Sequence, residues 1–316
     1  SIDLLKGNRM SQLETELKLS AIPAAIPQII QRILTLPYQH TPPHKLTNLY
    51  FETSDNQMRN WDMGLRIRGI DSHYEMTIKT AGKVVAGLHQ RPEYNVTLNE
   101  PTLDLTRFPA EIWPDKTDLT ALQAQLKVLF HTDFHREIWL VDYLESQIEV
   151  VLDKGTIRTA QYELPIEEFE LELKKGQVAD VIALATFLGE QGGLRLASRS
   201  KAARGYYLAK DKPALSLSVV NLAPNDTIAE QLTKWLAAIQ ALEEAIFANP
   251  TPPTLTMPAM LALFSDWCKK QPQLPESMQQ ALDNLSLLSF TRATDYYHVL
   301  WLNFKLSAMA WLLAIA

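Results

Sequence analysis

Polar and apolar positions alternate from the start of the chain: Glu14, Glu16 and Lys18 fall between Leu13, Leu17 and Leu19. In a β-strand, residues i, i+2 and i+4 share one face, so this stretch sets charge on one side and leucine on the other. The pattern returns at Glu168, Glu170 and Glu172, interleaved with Phe169, Leu171 and Leu173. Similar alternation predicts strands over residues 13–20, 47–52, 64–70, 73–80, 88–96, 134–143, 146–154, 157–164 and 167–174, with a hairpin across 69–72. Helical spacing predicts helices over 24–35, 118–129 and 180–188, and the proline-rich segment 37–44 reads as a loop. Roughly eight strands joined by short links favour an antiparallel sheet closed, or nearly closed, on itself.

After residue 212 the period changes. Ile228, Leu232, Trp235, Leu236, Ile239, Leu242 and Ile246 form one helical stripe, and helices are predicted over 257–269, 276–288 and 294–316. The expected fold is therefore α+β: a closed eight-stranded antiparallel barrel with flanking helices over residues 10–212. A small all-α C-terminal domain follows over 220–316.

With 47% hydrophobic residues, the 316-residue chain can bury a proper core. A net charge of −6 argues against nucleic acid or an anionic membrane as a partner recognised by bulk charge. Cys268 is the single cysteine, which excludes an internal disulfide and a cysteine-based metal site. Residues 1–9 lack the apolar run of a secretory signal, and Met10 reads as a natural start, with 1–9 an extension outside the fold. The apolar stretch 301–316 is shorter than a membrane span and is interrupted by Asn303 and Lys305. It reads as a buried or interface helix, with a homodimer through the C-terminal helices expected. A cytoplasmic setting fits these features.

Charged residues recur at positions sharing a strand face. Arg66 and Arg68 lie opposite Leu65 and Ile67, and Glu75, Thr77 and Lys79 lie opposite Met76 and Ile78. Arg91 pairs with Glu93, and Glu149 with Asp153, while Lys201 and Arg204 align on one helical turn. A single strand of this kind is usually a solvated face; repetition across nearly every strand points instead to a charged tunnel. Burying so many charges is costly unless they pair or meet a ligand. Arginine forks match phosphate oxygens, and carboxylates hold Mg²⁺ or Mn²⁺. A polyphosphate with its divalent cation satisfies both sets. No P-loop or HExxH pattern occurs. The histidines lack ligand spacing and read as solvated or core residues.

The order Glu14-x-Glu16-x-Lys18 resembles the ExExK signature of the CYTH superfamily, the triphosphate tunnel metalloenzymes. Blocks at 49–53, 64–68, 77–79, 89–93, 135–137, 152–155, 168–172 and 200–206 agree in order. The stretches 87–94 and 200–206 resemble the bacterial inorganic triphosphatase subgroup, in which a CYTH domain precedes a helical CHAD domain. The resemblance implies that Glu14, Glu16, Glu168, Glu170 and Glu172, with Asp153, hold divalent cations. It implies that Lys18, Arg66, Arg68, Lys79, Arg91, Arg136, Lys201 and Arg204 grip the triphosphate. Glu14, Glu16, Lys18, Arg66 and Lys79 are the expected catalytic group, and Glu93 and Asp153 are expected either to orient the basic groups or to touch metal-bound water.

The activity so implied is metal-dependent hydrolysis of inorganic triphosphate to pyrophosphate and phosphate. A thiamine triphosphatase, a class IV adenylyl cyclase or a non-catalytic polyphosphate-binding module are the alternatives. One departure concerns the helical region. CHAD domains are expected to be basic and histidine-rich, whereas residues 213–316 carry five basic and eight acidic residues and one histidine. This region is expected to be a short or degenerate CHAD-like unit that packs on the barrel or on another subunit.

Overall fold

The computed structural model describes residues 12–197 and 199–316. The expected start at Met10 and the extension 1–9 lie outside the described residues. In chain order the elements begin with β1 (Gln12–Ala21), α1 (Ile26–Ile33), β2 (Tyr38–Glu52), α2 (Gln57–Asn60), β3 (Gly64–Ile70) and β4 (His73–Lys79). They continue with β5 (Lys83–Val85), β6 (Leu88–Leu98), α3 (Leu119–Gln125), β7 (Lys127–Tyr143), β8 (Ser146–Arg158), β9 (Glu163–Lys175), α4 (Val178–Leu188) and β10 (Leu194–Ala197). Helices α5 (Lys201–Ala209), α6 (Ile228–Ala248), α7 (Met257–Lys269), α8 (Glu276–Asn284) and α9 (Val299–Ile315) complete the chain.

Eight strands close into an antiparallel barrel in the order β1-β9-β8-β7-β2-β3-β4-β6, and β6 pairs back onto β1 through Gln12–Leu17. The short β10 and β5 extend the ladder beyond β1 and β6. Period-2 alternation decides which side each residue faces. Leu17, Leu19, Phe169 and Leu171 are wholly buried on the outer wall under α1, α4 and α9, and Leu65, Ile67, Met76 and Ile78 lie in a second outer cluster. Burying such a side chain contributes about 1.5–3 kcal/mol. The outside of the barrel thus supplies the hydrophobic core, which leaves the lumen free to be polar.

Several strands run further than their sequence pattern predicts. The expected loop 37–44 is the first half of β2, where Pro42 and Pro43 fall at a register shift between Thr41 and His44. A bulge removes the need for the missing N–H groups. β8 continues through Gly155 instead of breaking there. A Cβ at that position would lie 2.0 Å from the Asp133 carbonyl oxygen, so glycine permits the close approach of β7. The expected helix 118–129 ends at Gln125, and β7 takes over at Lys127.

α5 packs across one end of the barrel. Its N-cap Ser200 accepts a hydrogen bond from the Ala203 N–H at 3.0 Å. Gly205 lies on the Phe130 ring, 2.1 Å from where a Cβ would stand. Tyr206 and Leu208 join Leu46, Tyr50, Phe130 and Phe134 in an apolar cluster inside that end. On the outside, Leu302, Leu306 and Met309 of α9 pack into the same cluster as β1, β8 and β9. Fully buried Glu243 of α6 accepts from Arg195 Nη1 at 2.8 Å and Trp301 Nε1 at 2.6 Å, and pairs with Lys305 Nζ at 3.0 Å. The apolar face of α9 is therefore covered within its own chain.

Candidate active site

Strand parity turns Glu14, Glu16 and Lys18 of β1 into the barrel, together with Glu168, Glu170 and Glu172 of β9 and Asp153 of β8. Register sets Glu16 opposite Glu172 and Lys18 opposite Glu170. Arg66 and Arg68 of β3, Thr77 and Lys79 of β4 and His89, Arg91 and Glu93 of β6 complete the ring. They surround a cavity of about 290 Å³ lined by Glu14, Glu16, Lys18, Arg66, Arg68 and Lys79 and closed at one end by Lys201 of α5. Arg91, Arg136 and Glu170 also line it. Arg204, Asp153, Glu168 and Glu172 are not among the lining residues.

Two carboxylate clusters occupy this lumen. Asp153, Glu168 and Glu170 form one, and cations already neutralise it. Arg136 donates to both Asp153 oxygens at 2.8 and 2.7 Å. Lys201 Nζ lies 2.7 Å from Asp153 and 2.8 Å from Glu170, and also pairs with Glu168. Arg204 donates to Glu168 at 2.6 Å. Burial pushes Glu170 and Asp153 up, but Lys201, Lys18 and Arg136 around Glu170, and Arg136 and Lys201 around Asp153, more than offset it. Both carboxyls therefore stay below their ordinary range.

The other cluster is Glu14, Glu16 and Glu172, each with one oxygen within 4.8 Å of the others. It is short of positive charge. Burial raises Glu14, but Lys79, 2.7 Å away, and then Lys18 hold it at about 2. Burial and the Glu14 charge push Glu16 up to about 6, although Lys18 pairs with it. Burial, again with Glu14, pushes Glu172 up to about 8, and among the described residues it pairs only with Lys174, at 3.1 Å. Three convergent carboxyls that resist ionising together are the donor set a hard divalent cation relieves. The residues fit such an ion.

Across the ring, four strands from β9, the imbalance reverses. Arg68 donates from Nε to the neutral side chain of Asn48 at 2.7 Å. Burial and the guanidiniums of Arg66 and Arg136 push it down to about 10. Arg66 has Glu93 at 3.6 Å, and its Nε is buried without a hydrogen-bond partner among the described residues. Burial would raise the Tyr50 hydroxyl, yet Arg66 and Arg68 draw it below its ordinary value. Arg91 is turned partly away, donating to the carbonyls of Thr80 at 3.0 Å and Asp62 at 3.1 Å.

A family model for the CYTH domain matches residues 12–206. The chain belongs to the CYTH domain family. An inorganic triphosphatase of Haemophilus influenzae is 40% identical to it over 203 residues, which are 62% of this chain and 54% of that protein. The chain thus spans about half the length of this curated relative. Among solved structures, it is similar to a Hippeastrum protein described as an adenylyl cyclase with a dominant triphosphatase activity. The TM-score is 0.48 at 20% identity, covering 61% of this chain and 95% of that one. A Bacillus halodurans protein described as an adenylate cyclase gives a TM-score of 0.39 at 22% identity, covering 58% and 91%.

Sequence reasoning missed Tyr50, Arg59, His89 and Arg199, which all line the cavity of this CYTH barrel. Tyr50 and His89 share parity with recognised inward residues, a signal that was available. Arg59 and Arg199 come from a short helix and a connecting segment, so tertiary structure alone brings them in. Glu75 faces Arg68 in register, but among the described residues it makes no ion pair. No helix among the described residues is long and apolar enough to cross a membrane.

Proposed function

We propose that this chain hydrolyses inorganic triphosphate to pyrophosphate and phosphate inside its barrel, with Mg²⁺ or Mn²⁺. The observation that carries the proposal is the opposed imbalance in one lumen. Glu14, Glu16 and Glu172 want a cation, while Arg66 and Arg68 want an anion, and a metal–triphosphate complex answers both.

Glu14, Glu16 and Glu172 would hold the divalent cation, which supplies positive charge against the phosphate oxygens. Arg66, Arg68, Lys79 and Lys18 bind the phosphates, and Arg91 closes the ring at the rim. Arg136, Lys201 and Arg204 act mainly by clamping Asp153, Glu168 and Glu170, which holds the floor of the tunnel rigid. Water attacks the terminal phosphorus in line, and the bridging P–O bond breaks with its electron pair on pyrophosphate. One water proton stays on the released phosphate and the other passes to solvent at neutral pH. Preorganised arginines on the β3 side stabilise the charge that develops on the leaving group.

Inorganic triphosphate fits better than a substrate with an organic ring. Tyr50 stacks on Phe130 at 4.6 Å, and Tyr206 lies edge-on to Phe130 and under Arg59, so these rings are already engaged. Residues 12–212 carry the tunnel in this proposal, and 220–316 form a helical domain that braces its outer wall through α9. Phosphate release from inorganic triphosphate, ATP and thiamine triphosphate, assayed side by side with each metal, tests the choice. Preference for either organic substrate would overturn it.

A further inference from the structure

We propose that His89 is a catalytic residue of this tunnel, its Nε2 accepting a hydrogen bond from the water that attacks the terminal phosphorus. The inference rests on the triphosphatase proposal above. His89 is 7% exposed, lines the cavity and stands opposite Glu16 in the β1–β6 register. Among the described residues, its Nε2 is buried with no hydrogen-bond partner. Leaving a buried polar atom unpaired is unfavourable and uncommon in native structures.

The chemistry of its surroundings says what that atom can accept. Fully ionised phosphate oxygens carry no hydrogen, so they offer a lone pair nothing. Lys18 and Lys79, the ammonium groups acting most strongly on the ring, pair with Glu16 and Glu14 and in the proposal above serve the phosphates, so neither is left for Nε2. The carboxylates lining the same cavity are engaged as well: Glu14 by Lys79, Glu16 by Lys18, and Glu170 by Lys201 and Arg136. Of the buried polar atoms lining the cavity, three lack a partner among the described residues: Arg66 Nε, Tyr206 Oη and His89 Nε2. The first is a donor and the second is a hydroxyl that both donates and accepts. With its ring hydrogen on Nδ1, His89 Nε2 is a pure acceptor, and it lies on the strand next to the Glu14 and Glu16 carboxylates. A substrate water brings the hydrogen that this lone pair lacks. Held in the β1–β6 register opposite Glu16, the ring is placed so that the water's oxygen lone pair can be turned towards phosphorus.

The test compares wild type with His89→Leu, which keeps bulk and removes the acceptor, and His89→Gln, which returns an acceptor at a similar reach. Steady-state turnover of inorganic triphosphate with Mg²⁺ gives kcat and KM, and titration calorimetry gives the Kd for pyrophosphate. The expected result is a kcat lower by about 10- to 100-fold in His89→Leu, with KM and the pyrophosphate Kd within about twofold of wild type. His89→Gln should recover much of the lost kcat. Unchanged kcat in His89→Leu overturns the proposal, as does a fall that His89→Gln does not relieve or that weakens pyrophosphate binding equally. Wild-type chain that turns over no triphosphate overturns the underlying function and this role with it.

Discussion

Glu14 and Lys79 lie 65 residues apart in the chain, and their side chains meet at 2.7 Å inside the barrel. Neither strand is bonded to the other; β6 lies between them. The pair therefore exists only because the barrel closes, and it ties one metal-side carboxylate to one phosphate-side ammonium. Lys79 responds in kind: burial lowers its ammonium, but Glu14, Glu93 and Glu16 raise it above its ordinary value. Lys79 stays charged, and Glu14 stays ionised, throughout the working pH range.

Glu16→Gln should abolish metal-dependent hydrolysis and leave the barrel folded. Glu16 is 4% exposed and its carboxyl is already pushed up to about 6, so a neutral isostere introduces little strain. The measurement is the thermal midpoint with and without Mg²⁺ alongside turnover. The variant should keep its metal-free midpoint within a few degrees and lose the Mg²⁺-induced rise. Unfolding of the variant would show that the carboxylate is structural.

Asp153→Asn should behave in the opposite way. Asp153 is wholly buried and accepts two bonds from Arg136 while pairing with Lys201. Removing its charge leaves two buried cations undercompensated, a loss of about 3–5 kcal/mol. Denaturant unfolding should register that loss, while the Mg²⁺ dependence of any residual activity stays near wild type. A large change in Mg²⁺ affinity with full stability would make Asp153 a cation ligand instead.

Stability of the metal-free chain should fall as pH rises from about 6.5 to about 8, above the range in which His89, pushed down from 6.5 to about 3 by burial and then Lys18 and Lys79, adds stability with rising pH. Glu172 has an ordinary value of 4.5 and a folded value of about 8. In that window the folded chain keeps a proton that the unfolded chain has released, so folding weakens with rising pH. Glu170 and Asp153 are held low and act in the other direction: their stabilisation is present above the ordinary carboxyl range and is lost as pH falls below it. Thermal midpoints in chelator should therefore decline towards about pH 8, and saturating Mg²⁺ should flatten the decline. A midpoint that rises from about pH 6.5 to about 8 in chelator would contradict the charge shortage at Glu172.

Gly205→Ala should lower stability and turnover together. The added methyl would sit 2.1 Å from the Phe130 ring, so α5 must move off the barrel end, at a cost of about 1–3 kcal/mol. Lys201 and Arg204 ride on the same helix and would shift with it. Chemical unfolding and kcat measured on one preparation check both halves. Full activity in a destabilised variant would detach α5 from the site.

Much of the tunnel was legible because a strand has an exact period of two. Once Leu17, Leu65 and Leu171 face the outer core, Glu16, Arg66 and Glu172 have no direction left but inward. What escaped the pattern depended on contacts between distant segments. Pro42 and Pro43 look like loop residues until a bulge against β7 absorbs them, and Gly155 looks like a break until the neighbouring backbone of β7 presses on it. The division of the carboxylates into a neutralised and an uncompensated cluster was equally hidden. It follows from which cations α5 and β7 bring to Asp153, and no spacing along β9 encodes that.

Phosphorus NMR of inorganic triphosphate incubated with the chain and Mg²⁺ tests the central claim most directly. Pyrophosphate and phosphate should appear in equal amounts as triphosphate disappears, and a chelator should stop both. Triphosphate that remains intact while binding tightly would contradict hydrolysis and leave the barrel a binding module.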